Sequence, residues 1–150
     1  MKKEKIRELN FQKYRFELGM KYAKTSFIRY MTALLFVISL YWIFVMYVEK
    51  SSFIIIPIIY FFGYVICSAD QYISLHTYKK NKFGITKIIF EIEIIFNFIL
   101  IIITIIDYKV LFSFFNSQYV SIGILIFAIL LKSLIVKKII KINKKEISYV

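Results

Sequence analysis

Glu93, Asn97, Leu100, Thr104 and Asp107 recur at intervals of 4, 3, 4 and 3. That spacing puts four polar side chains on one face of a helix otherwise built from isoleucine and phenylalanine. A carboxylate well inside a bilayer costs about 2.5–3.5 kcal/mol or more, so such groups face protein or water and have partners. Glu91 precedes Glu93 by two residues, about 200° round a helix, so the two cannot meet the same partner and do not form an acid–base dyad. A later run offers a matching face. Ser113, Ser117, Ser121, Ala128 and Lys132 advance at 4, 4, 7 and 4, a small and polar stripe that lets a neighbouring helix come close. Glu93 and Lys132 each stand about five residues, roughly 7–8 Å, from the lysine-rich ends of their runs. The expectation is a Glu93–Lys132 ion pair with Asn97 in its shell.

Other reactive side chains are few. The chain has one cysteine, Cys67, and one histidine, His76, nine positions on and too far along one helix to touch it. A single cysteine forms no intrachain disulfide, and Cys67 reads as a small packing residue. Asp70, His76, Glu91 and Arg29 fall near one membrane boundary but come from different runs without metal-ligand spacing. They read as a charge network between helices, and no metal or cofactor is expected. The lack of a Ser/His or acidic-His constellation argues against protease, acyltransferase or phosphatase chemistry, so the chain is expected not to be an enzyme.

Four long apolar runs must position these residues: Met31–Val48, Ser51–Ala69, Ile94–Ile106 extended back to Ile88, and Val110–Leu131. The composition is 60% hydrophobic with mean hydropathy +0.71, above the roughly 45–50% apolar content of soluble domains. The fold class is therefore all-α, a polytopic membrane protein with four transmembrane helices at about 29–48, 51–72, 88–106 and 110–136. Only Glu49-Lys50 and Asp107-Tyr108-Lys109 separate the first run from the second and the third from the fourth. This predicts two antiparallel hairpins within a membrane domain spanning 27–150. Tyr41, Trp42 and Tyr47 suit an aromatic belt at one interface, and Pro57 suits the opening turns of the second helix.

Charge sets the orientation. Of 21 lysines and arginines, all but Lys50 and Lys109 lie in the N-terminal segment, between the second and third runs, or toward the C-terminal end. Positive charge is held on the cytoplasmic side, so both termini are expected there, in a plasma membrane. The heavy use of Ile, Lys, Phe, Tyr and Asn suggests a bacterial inner membrane. The net charge of +12 suits anionic lipid headgroups, at about 1 kcal/mol per basic residue. No recognition motif accompanies it, so nucleic acid is not an expected partner.

Residues 1–26 read as a basic amphipathic helix on the cytoplasmic side. Ile6, Leu9, Phe16, Met20, Ala23 and Phe27 form one stripe, and Phe11, Tyr14, Leu18 and Tyr22 a second. Two stripes exceed what lying on a bilayer requires, so one is available to protein. Arg7, Lys13, Arg15 and Lys21 on this helix, and Lys79, Lys80 and Lys82 in the middle loop, are the candidates for partner or lipid contact. The function expected is a non-enzymatic integral membrane subunit that oligomerises or docks a cytoplasmic or membrane protein. Bacterial toxin-immunity proteins and membrane components of phage-defence systems have that role. The alternative is a small oligomeric channel or transporter with a polar path along span three. The first apolar run has no acidic residue, which argues against a small multidrug exporter with its key glutamate in span one.

Overall fold

The computed structural model describes residues 1–76 and 83–148, apart from the side chains of residues 18, 21, 22, 24 and 145–148. Lys79, Lys80 and Lys82, expected to face a partner or lipid, lie outside the described residues, as does the Lys21 side chain. Among the described residues the chain is helical, without a strand. Its elements are α1 (Lys2–Val48), a 3-10 turn (Ser52–Ile54), α2 (Ile55–His76), α3 (Gly84–Ile106), a short α4 (Lys109–Phe112) and α5 (Gln118–Ser148). Four segments are long and apolar enough to cross a membrane: Thr25–Val48, Ser52–His76, Gly84–Ile106 and Gln118–Lys144. The shortest has 23 residues, about 35 Å of helix against a hydrocarbon core of about 30 Å.

Helix ends follow local chemistry. α1 stops in a Schellman motif: the Ser51 N–H donates to Met46 O (3.0 Å) and the Lys50 N–H to Tyr47 O (3.1 Å). Lys50 takes the left-handed conformation there, φ 54, in a place that glycine more often fills. Pro57 is the third residue of α2, where its missing N–H is one of the donors a first helical turn leaves free. The start of α3 is capped by α2. Asp70 Oδ2 accepts from the Thr86 N–H (3.0 Å) and the Thr86 hydroxyl (2.8 Å), and Ser74 Oγ accepts from the Phe83 N–H (3.1 Å). A carboxylate at a helix N-terminus also meets the positive end of the helix dipole.

Each crossing helix turns one stripe inward. On α3 the buried residues Thr86, Phe90, Glu93, Asn97, Leu100 and Thr104 repeat at helical spacing, while Ile95, Phe98, Ile102 and Ile106 are exposed. An outer surface of that kind suits lipid, not water. Inter-helix contacts run in opposite sequence directions. Thr32 meets Gln71 while Trp42 meets Tyr60, and Tyr60 meets Asn97 while Asp70 meets Thr86.

Residues 2–48 are one continuous helix, in which the membrane-length segment begins at Thr25. One boundary differs from the sequence reading. The fourth span begins at Gln118 instead of near residue 110. Phe112 stacks on Trp42 (5.3 Å between centroids) and Ser113 bonds Glu49, which holds the chain across the bundle end. The Gln118 side chain then donates to the terminal carbonyls of α3, Thr104 O (3.2 Å) and Ile105 O (2.9 Å), where α5 starts. Ser113 and Ser117 therefore lie outside the last helix.

Replacing Asp70 by alanine strands the buried Thr86 N–H and leaves the Thr86 hydroxyl only Cys67 O, at 3.3 Å. The loss expected is about 1–3 kcal/mol of stability, with Asp70→Asn losing less because one acceptor oxygen remains. Thermal or SDS unfolding of the detergent-solubilised protein, followed by circular dichroism, measures both.

Candidate functional site

The polar face of α3 meets α5 on one side and α2 on the other. Lys132 Nζ lies 2.9 Å from Glu93 Oε2, and both side chains are buried, at 2% and 10% exposure. α3 starts at Gly84 and α5 continues beyond Lys132 to Ser148, so both helices extend past the ends at Ile88 and Val136 from which the sequence count was made. Glu93 stands nine residues into α3, about 14 Å along its axis.

α2 makes room for the pair and covers it. Gly63 is the residue of α2 opposite Glu93; a Cβ there would stand 2.9 Å from Glu93 Oε1. A side chain at 63 would require the end of the Glu93 side chain to shift. Three residues before Gly63 and one after, Tyr60 and Tyr64 present their rings to the Lys132 ammonium, at 4.5 and 5.7 Å from the ring centroids, an attraction that strengthens away from water. The Tyr60 hydroxyl donates to Asn97 Oδ1 at 2.5 Å. Asn97 is thus linked to the ion pair through the Tyr60 ring. Its amide nitrogen is buried without a hydrogen-bond partner.

The remaining polar residues go to separate partners. Glu91 is exposed and lies 3.9 Å from Lys87 on its own helix, a surface pair of small energetic weight. Asp70 bonds Thr86. The exposed His76 stacks on Tyr72 at 4.2 Å and contacts the Tyr72 carbonyl. Thr104 donates to Leu100 O (2.7 Å) and Asp107 is exposed. Cys67 is fully buried. Among the described residues no three His, Cys, Asp or Glu side chains gather where they could hold a metal ion.

Arg7, Lys13 and Arg15 are exposed on α1, with the Arg15 guanidinium 5.1 Å from the Phe11 ring centroid. Sequence reasoning missed Gly63, Tyr60 and Tyr64. A glycine between two tyrosines four apart, midway along an apolar run, was the available signal. No family model, curated protein or solved structure matches the chain.

Removing one partner of a buried pair costs about 3–5 kcal/mol, because the other charge is left unpaired. Glu93→Lys and Lys132→Glu should each abolish folded, detergent-stable protein, and the double exchange should recover a folded fraction. Size-exclusion profiles and thermal midpoints of the three variants check this.

Proposed function

We propose that the chain is a non-enzymatic membrane subunit of the bacterial inner membrane, of the kind that serves toxin immunity or phage defence. In this reading two antiparallel hairpins cross the bilayer with both termini in the cytoplasm. The basic first part of α1 stands on that side and assembles with a second copy or docks a cytoplasmic protein.

The observation that carries the reading is the continuity and bareness of α1. The helix has 47 residues, about 70 Å, and only Thr25–Val48 belongs to a span. The preceding part reaches about 35 Å further as the same helix. Along it Ile6, Leu9, Phe11, Tyr14, Phe16 and Met20 are all exposed, interleaved with exposed Arg7, Lys13 and Arg15. A row of large apolar side chains on a helix continuous with a membrane span is characteristic of an interaction surface. The channel reading draws less support. Glu93 is occupied by Lys132 and Asn97 by Tyr60, inside the bundle.

Leu9→Ser/Phe16→Ser/Met20→Ser removes apolar groups that support no core, so the unfolding midpoint should stay within a few degrees of the parent. The parent should run in detergent as more than one chain, or co-purify with the product of an adjacent gene. The triple variant should lose that association, read by light scattering behind size exclusion. A parent that is monomeric, binds no neighbour product and makes vesicles leak ions contradicts the reading in favour of the channel.

A further inference from the structure

Where the spans of α1 and α2 end side by side, a groove of about 380 Å³ opens between them. Arg29 and Ala33 line it from α1, and Ser68, Gln71, Tyr72 and His76 from α2. Its described lining holds no carboxylate. Arg29 stands four residues inside the Thr25 start of its span, about 6 Å along the axis, and His76 ends the span of α2. Both therefore sit at the edge of the apolar zone, and the long arginine stem lets its charge reach headgroup level from one turn inside. Small residues keep the groove open. Ala33 and Ser68 are exposed, and neither fills the space between the helices. Gln71 is buried, with Nε2 taken by the Thr32 hydroxyl at 2.8 Å, which fixes that wall. One turn further from the span ends, Val37 and Val65 continue the faces of Ala33 and Ser68 and are exposed as well. The surface thus runs from basic and polar at the span ends to purely apolar below.

That gradient selects an anion with an apolar tail. A guanidinium presents a planar fork of donors that matches phosphate oxygens two at a time. The His76 ring is held by Tyr72: the rings stack at 4.2 Å, and Nδ1 lies 2.9 Å from the Tyr72 carbonyl. A carbonyl only accepts, so Nδ1 donates there and Nε2 is left for the groove. A phosphoglycerol headgroup suits Nε2 in either protonation state, since its hydroxyls donate and its phosphate accepts. A zwitterionic headgroup brings a second cation beside Arg29, which like charge disfavours. A water-borne anion gains nothing from Ala33, Val37 and Val65, whereas an acyl chain covers them. Basic pockets between membrane helices at headgroup level are where anionic lipid headgroups bind.

We propose that the α1–α2 groove binds one anionic phospholipid, with its phosphate on Arg29, its headgroup glycerol at His76 and an acyl chain along Ala33, Val37 and Val65. The site is independent of the docking role of the first part of α1. The detergent-purified full chain is titrated with phosphatidylglycerol and with phosphatidylcholine of identical acyl chains, and native mass spectrometry counts the bound lipids. Glycerol 3-phosphate, the headgroup end without tails, is the soluble competitor. The first phosphatidylglycerol should bind about tenfold more tightly than phosphatidylcholine, and an equal concentration of glycerol 3-phosphate should not displace it. Arg29→Gln should lower its affinity to that of phosphatidylcholine. Ser68→Trp, which keeps every charge but fills the groove, should weaken it as much. Lys137 and Lys141 are exposed on the last turns of α5, away from the groove lining. Lys137→Gln/Lys141→Gln should leave the affinity within about twofold. Equal affinity for the two lipids, or full affinity in Ser68→Trp, overturns the proposal. A loss in the double lysine variant as large as in Arg29→Gln overturns it in favour of diffuse charge attraction. Displacement by glycerol 3-phosphate overturns it in favour of a soluble phosphate ligand. If Arg29→Gln does not fold, Ser68→Trp decides.

Discussion

A lysine and a glutamate meeting deep inside two apolar helices constrain everything packed around them. Lipid tails are as apolar as leucine, so burying isoleucine and phenylalanine gives helices little reason to prefer one neighbour over another inside a membrane. An unpaired charge there is costly, which makes the Glu93–Lys132 contact at 2.9 Å a strong discriminator between arrangements. Sliding α5 past α3 by one helical turn, about 5.4 Å, would leave both charges without a partner. The pair fixes register more than it adds net stability, since desolvating two ions offsets much of their attraction. Gly63 is part of the same constraint: it lets α2 come within reach, and Tyr60 and Tyr64 then lay their rings against the ammonium.

The other helix contacts work on the same principle at lower cost. Gln71 Nε2 donates to the Thr32 hydroxyl (2.8 Å), which itself donates to Ile28 O, tying α2 to α1. Asp70 ties α2 to the start of α3, and Gln118 ties α5 to its end. Trp42 Nε1 reaches Leu111 O at 3.4 Å across the bundle end. The α1–α2, α2–α3 and α3–α5 pairs are thus each pinned by at least one directional bond between apolar surfaces. Among the described residues, the first half of α1 makes no such contact with the bundle. Its described aromatic and aliphatic side chains are exposed, which the packing of the bundle itself does not explain and which the proposed assembly would.

The four membrane-length apolar helices were legible because long uncharged runs admit few alternatives to helices in a bilayer. The approach of Glu93 to Lys132 was legible as well: opposite charges at similar depth on facing stripes have few other ways to be satisfied. What α2 contributes was not. Period and hydropathy treat Tyr60, Gly63 and Tyr64 as ordinary members of an apolar run, and only the spatial path of α3 shows that Gly63 faces the Glu93 carboxylate. The start of the last span was misplaced because Phe112–Ser117 is apolar enough to continue a helix. Stacking on Trp42 and the Glu49–Ser113 bond, both from α1 and its end, override that local preference. The Asp70 cap was hidden because its partner, Thr86, lies across the loop, where spacing along one helix carries no information.

The contact between the two charges is open to direct measurement in a bilayer. With Glu93 labelled at its carboxyl carbon and Lys132 at Nζ, solid-state dipolar recoupling in lipid vesicles reads the separation of those two atoms. An N–O distance of 2.9 Å puts them about 4 Å apart or closer. A separation beyond about 6 Å, past the reach of any direct hydrogen bond, would contradict the account.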